Sequence, residues 1–150
     1  MEIKKVAILG AGAVGSYVIE GISGCREIRL GVIAEGERNA RLKSAGCTIN
    51  GVTYHPDVWT SWETDNIDLL IVSLKYGALQ TALDTIKKAT SQNTIVMSLM
   101  NGVDSEEIIG AKIGMSHILP ALIKVASHKE PDGYHFDRKS TIGIIFGEYK

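Results

Sequence analysis

Apolar and polar residues along this chain switch repeatedly between two periods. Val6, Ala7, Ile8 and Leu9 form an unbroken apolar run, as in a parallel strand buried on both faces. Beyond it Val14, Val18 and Ile22 recur every four residues, so the spacing predicts an amphipathic helix. Residues 27–33 read as a second strand. Residues 36–45 are polar and helical, with Gly46 as a C-terminal cap. Residues 47–54 alternate around Gly51 and predict a small hairpin, and Trp59 and Trp62 are expected to pack onto a sheet. A strand over 67–74 ends at Lys75-Tyr76-Gly77. A helix follows with Leu79, Ala82, Leu83 and Ile86 on one face. A strand over 93–99 ends at Met100-Asn101-Gly102. Asp104 and Glu107 then have the spacing of a capping box, opening a helix that carries Ile108, Ile109 and Ile113 inward. A further strand is predicted over 117–127, interrupted by Pro120. After the turn signal Pro131-Asp132-Gly133, residues 134–138 and 141–146 are predicted to pair with each other.

Strands that alternate with helices imply right-handed βαβ units. The expected fold is α/β, a doubly wound and mostly parallel sheet of Rossmann type. Between the first strand and first helix stands Gly10-Ala11-Gly12-Ala13-Val14-Gly15, in the pattern G-x-G-x-x-G. Gly10 allows the tight turn, Gly12 lets a pyrophosphate approach the backbone, and Gly15 lets helix and strand pack closely. The helix start offers free N–H groups and the positive end of its dipole to phosphates. The reading is a dinucleotide site; a glycine-rich turn with no ligand is the alternative.

Length and composition narrow the classes. One domain with a real core fits 150 residues, of which 45% are hydrophobic. Sixteen basic against 17 acidic residues argue against a nucleic-acid or anionic-membrane surface. Cys25 and Cys47 do not form a C-x-x-C pair, and His55, His117, His128 and His135 lack metal-ligand spacing, so no metal site is expected. No apolar run approaches the roughly 20 residues of a membrane helix, and no signal peptide fits; a cytoplasmic protein is expected.

Ligands of doubly wound sheets sit outside the carboxyl ends of the strands. Gly10, Lys75 and Asn101 lie at three such ends and are expected to converge on one crevice. Lys75 has the charge to meet cofactor phosphates or a substrate carboxylate. Asn101 can donate and accept hydrogen bonds. Their bland alternatives are a surface lysine and an Asn-Gly turn. Glu35 follows the second strand, 20 residues past Gly15, where an acidic residue accepts from adenosine ribose hydroxyls and repels a 2′-phosphate. That favours NAD. Arg38 and Arg41 follow closely with the opposite charge, so NADP stays open.

ILGAGAVGSYV, LLIVSLKYGALQTAL and SLMNGVDSEEII together resemble the amino-terminal domain of ketopantoate reductases (2-dehydropantoate 2-reductases), and PDGYHFDRKSTIGIIFGE extends the likeness. The resemblance implies that residues 10–15 hold the pyrophosphate of NADP(H). It places Lys75 and Asn101 near nicotinamide and substrate. The implied reaction is hydride transfer to a 2-oxo acid, in the pantothenate and coenzyme A pathway. Glu35 stands where the family generally carries an arginine. The family's second, helical domain, which supplies the lysine general acid and an acidic substrate-binding residue, is expected to be absent from these 150 residues. No residue here is assigned the general-acid role, and the chain is expected to be inactive alone. A small 2-oxo acid is the expected partner if a second domain completes the site. An exposed apolar patch is expected where that domain docks, and a homodimer could use the same surface. Two other functions stay open: a stand-alone dinucleotide sensor, and the cofactor domain of another 2-oxo acid or opine-type dehydrogenase.

Overall fold

Four of the apolar runs become strands of a single parallel sheet in the computed structural model, which describes residues 1–100, 104–137 and 139–148. The strands are β1 (Lys5–Leu9), β2 (Arg29–Ile33), β6 (Leu69–Val72) and β7 (Ile95–Ser98). A fifth strand, β5 (Asp57–Trp59), joins the edge, and the order is β5-β2-β1-β6-β7. All four pairings are parallel. The order reverses at β1, where chain segments on either side leave in opposite directions and open a crevice.

Alternate residues of β1 feed opposite cores, which is why the run has no polar gap. Ala7 and Leu9 join Leu70, Val72, Leu79, Ile86 and Ile109. That face is covered by α3 (Leu79–Ala89) and α4 (Ser105–Ile113). Val6 and Ile8 join Val18, Ile19, Val32 and Ile71 beneath α1 (Ala13–Ile22). The polar α2 (Gly36–Ala45) buries Asn39, whose Nδ2 donates to the Ala34 carbonyl, and ends at Gly46 with φ +68°.

A second sheet covers the outer side of α1. Its order is β4-β3-β10-β9, built from β3 (Cys47–Ile49), β4 (Val52–Tyr54), β9 (Ser127–Glu130) and β10 (Gly133–Phe136). Tyr17 of α1 meets Phe136 edge to face at 5.6 Å. Asn50, at φ +50°, pins three segments: its Nδ2 donates to Glu20 Oε2 of α1, its Oδ1 accepts from the Phe136 N–H, and its own N–H donates to the Tyr134 carbonyl.

A third piece is the antiparallel ribbon of β8 (Ala121–Lys124) and β11 (Gly143–Phe146). Ile123 and Ile144 face each other and pack inward, while the facing pair Leu122 and Ile145 is exposed. A parallel bridge between Val96 and Ile118 joins the segment before β8 to β7.

Several expectations need correction. Residues 134–138 and 141–146 do not pair with each other: β10 pairs with β9 and β3, and β11 with β8, so one hairpin is nested inside another pairing. Residues 117–127 are not one strand. His117 closes a 3-10 turn, β8 starts only after Pro120, and Ser127 opens β9. The helix at 105 begins as expected, but its capping box is not formed; Asp104 makes no side-chain cap and accepts instead from the Tyr76 hydroxyl. Only one tryptophan packs on the sheet. Trp59 is buried across Gly31, where an added Cβ would lie 2.3 Å from the indole. Trp62 is 78% exposed beneath the Lys88 ammonium, 4.0 Å from its ring centre.

Candidate dinucleotide site

The glycine turn is built as its spacing demands. Gly10 adopts φ +103°, and a Cβ there would strike the Ser73 carbonyl oxygen at 2.6 Å. A Cβ on Gly15 would lie 2.1 Å from the Gly10 carbonyl oxygen, so helix and turn touch through that missing atom. Gly12 differs. Only the Tyr134 hydroxyl comes near its Cβ position, at 3.9 Å, so the space before this backbone is open. Gly12 is also the N-cap of α1, with no side chain capping it. Among the described residues the first N–H bonded back along this helix is that of Ser16, to the Gly12 carbonyl. The N–H groups of Ala13, Val14 and Gly15 are those that a helix start leaves for an anion.

β6 ends against the same turn. Ser73 N–H donates to the Leu9 carbonyl at 2.9 Å and its Oγ to the Gly10 carbonyl at 2.6 Å. Lys75 lies two residues further on, exposed, at the entrance to the 3-10 turn Tyr76–Ala78. Tyr76 then donates to Asp104 Oδ2 at 2.7 Å. This bond, with the carboxylate's charge, raises the phenol's pKa, so the phenol stays a donor at neutral pH. It ties the loop after β6 to the start of α4. Asn101 lies outside the described residues.

At the end of β2, Glu35 is the N-cap of α2 and its Oε1 accepts from Ser61 N–H, beyond β5, at 2.6 Å. Its Oε2 has no partner among the described residues. Arg38 and Arg41 occupy another place. With Ala11 and Ser16 they line a cavity of about 330 Å³ beside the glycine turn, closed by Cys47, Thr48, Lys129 and Tyr134. Burial pushes the Cys47 thiol above its ordinary pKa. Gly10, Ser73 and the strand leading to Lys75 therefore come together, and Ala11 joins Arg38. Glu35 is held toward Ser61. Sequence reading missed Ser73, Lys129 and Tyr134. Ser73 was readable as a polar residue at a strand end; the other two arrive through β9 and β10, whose partners no local pattern names.

Among the described residues no three His, Cys, Asp or Glu side chains are grouped to hold a metal, and no helix is long and apolar enough to cross a membrane.

A parallel sheet reversing at β1, with a glycine turn open at Gly12, defines a Rossmann-type dinucleotide-binding fold. The particular lineage follows from comparison. The chain belongs to the family described as "Ketopantoate reductase PanE/ApbA", whose profile matches residues 6–150. It is 32% identical over 108 residues to the 2-dehydropantoate 2-reductase of Pyrococcus horikoshii, covering 70% of this chain and 35% of that one. The crystal structure of 2-dehydropantoate 2-reductase from Geobacter metallireducens superposes with a TM-score of 0.80 at 26% identity, over 96% of this chain and 49% of that one. D-mandelate dehydrogenase, solved with NADH and anilino(oxo)acetate, shares the fold with a TM-score of 0.76 at 24% identity, over 89% and 45%. The chain thus spans half or less of each protein's length.

Proposed function

We propose that this chain is the cofactor-binding portion of a nicotinamide-dependent reductase of a 2-oxo acid, with 2-dehydropantoate as the substrate. The observation that carries the reading is Gly12: an open backbone at an uncapped helix start, between two glycines whose Cβ positions are blocked. A pyrophosphate fits that cradle, held by the N–H groups opening α1. Ser73 fixes the turn by bonding the Gly10 carbonyl, and Tyr76 with Asp104 fixes the neighbouring loop. Lys75 and Asn101 flank the nicotinamide end in this reading, with Lys75 steering a carboxylate. Glu35 or Arg38 meets the adenosine ribose. In support, two of these relatives are named for 2-dehydropantoate, a 2-oxo acid, and D-mandelate dehydrogenase was solved with NADH and anilino(oxo)acetate.

A bound reduced nicotinamide supplies the hydride that turns the 2-oxo acid into a 2-hydroxy acid. The carbonyl oxygen then gains negative charge, and a positioned acid contributes about 10²- to 10⁴-fold to such a step. No described residue is assigned that role, so the chain alone binds dinucleotide and reduces 2-dehydropantoate negligibly. The exposed pair Leu122 and Ile145, with Ile142 and Phe146 nearby in sequence, is the apolar surface on which a second domain would rest. Calorimetric titration of the chain with NADH and NADPH, followed by a turnover assay with 2-dehydropantoate, tests both parts. Binding of at least one dinucleotide with no measurable turnover is expected. Binding of neither, or turnover like that of a complete reductase, overturns the reading.

A further inference from the structure

The bond between Tyr76 and Asp104 is made in place of a helix cap. Asp104 precedes α4, where an Asp side chain ordinarily accepts from an N–H of the first turn. Here its Oδ2 accepts instead from the Tyr76 hydroxyl, 28 residues away in the chain. Tyr76 is 52% exposed, so this bond replaces contacts with water, as a cap does. Stability alone gives no reason to prefer the long-range bond over the local one. Its location gives one. The bond joins the segments that leave the carboxyl ends of β6 and β7, which are neighbours in the sheet, and ligands of such folds sit at that end.

Lys75 lies between two anchors. On one side Ser73 is tied to β1 through the Leu9 and Gly10 carbonyls. On the other, Tyr76 is tied to the start of α4. The Lys75 carbonyl accepts from Ala78 N–H at 2.9 Å, and the Tyr76 carbonyl from Leu79 N–H. Leu74 and Lys75 thus span two fixed points. The Lys75 side chain is exposed, and among the described residues no carboxylate pairs with it, Asp104 included. A lysine loses much rotamer freedom when it meets an anion, and a backbone fixed beforehand lowers the total ordering cost.

We propose that Tyr76 and Asp104 form a clamp that positions Lys75 for an anionic group of the ligand in the crevice. Both are positioning residues, acting through Lys75. The anion is a cofactor phosphate or a substrate carboxylate. That use of the clamp rests on the function proposed above; the clamp itself rests on the bonds just described.

Two readouts keep the claims apart. The first is amide hydrogen exchange in the free chain, read at Ala78 and Leu79. Tyr76→Phe removes the donor. Asp104→Ser supplies a good cap for α4 but is too short to reach the phenol. Both variants are expected to speed exchange at Ala78 and Leu79 about threefold, and Asp104→Asn, which keeps an acceptor oxygen, to leave it at the wild-type rate. Unchanged exchange in Asp104→Ser overturns the clamp. The second readout is titration with NADH and NADPH, then with oxamate added to the dinucleotide-loaded chain. Tyr76→Phe and Asp104→Ser should each weaken one of these ligands about fivefold, with Asp104→Asn recovering to within about twofold and Asp104→Ser melting no lower than wild type. In a Lys75→Ala background Tyr76→Phe should add less than about twofold. A loss for the dinucleotide assigns Lys75 to a cofactor phosphate, and a loss for oxamate alone assigns it to a carboxylate. No loss for either, or an undiminished loss without Lys75, overturns the positioning role. If the wild-type chain binds neither dinucleotide while exchange responds as expected, the dinucleotide reading fails and the clamp stands.

Discussion

Three glycines within one six-residue stretch meet three different surroundings, and substitution separates them. Gly12 has φ −80°, which any residue adopts, and open space before it. Gly12→Ala is therefore expected to leave stability within about 1 kcal/mol and, in the site we propose, to weaken dinucleotide binding about tenfold, since the methyl would stand where the pyrophosphate approaches. Gly15→Ala puts a Cβ 2.1 Å from a backbone oxygen that cannot swing aside. It should cost about 3 kcal/mol or more. Thermal unfolding and calorimetry on the two variants check the contrast; equal stability loss in both would refute it. The spacing of these glycines announced the tight turn at Gly10 and the close packing at Gly15. It did not announce Ser73, whose hydroxyl locks the Gly10 carbonyl from 63 residues away.

At the scale of elements, legibility tracked length and periodicity. β1, α1, β6 and α3 have four or more patterned residues and were readable. β5 has three, directly after Pro56, and gives no period to read; it exists because Trp59 lies over Gly31 and its backbone extends the β2 ladder. Alternation over 121–146 announced strands but not partners, and the nearer pairing across 139–140 lost to β8, which fixes β11 inward through Ile123 and Ile144. Asp68 shows an end-capping device that propensity does not reveal. Its Oδ2 accepts the N–H groups of both Lys4 and Lys5, at 2.9 Å each, where β1 begins. Those two bonds, Lys5 first, hold its carboxyl below the ordinary value. The unfolded chain takes up the proton first, so this stabilisation is complete above about pH 4 and is lost as pH falls through the folded-state value. Asp68→Asn is expected to flatten the acid limb of a stability–pH curve below pH 4 or so. Urea midpoints measured through that range, unchanged in slope, would count against it.

For the whole molecule, the second sheet matters more than its short strands suggest. It turns α1 into a middle layer, with the parallel sheet on one side and β3, β10 and β9 on the other. Asn50 holds that arrangement together at a left-handed backbone position. Asn50→Ala loses two side-chain hydrogen bonds and strains the backbone, for an expected cost of about 2–4 kcal/mol. In a domain of this size that lowers the midpoint of thermal unfolding by about 5–10 °C. Asn50→Gly keeps the backbone relaxed and should recover about 1 kcal/mol of the loss; identical melting of the two variants would remove strain from the account.

The same layer imposes an order of events on synthesis. Asn50 and Phe136 are 86 residues apart. A ribosome adding about 5–20 residues per second needs roughly 4–17 s to deliver the second after the first. A helix forms in about a microsecond or less. During that wait α1 has one wall and lacks the other, with the Tyr17 ring missing its aromatic neighbour. The helix that opens the proposed ligand cradle thus leaves the ribosome well before the strands that enclose its outer side. A nascent chain at this stage presents an apolar helix flank, the kind of surface that chaperones bind.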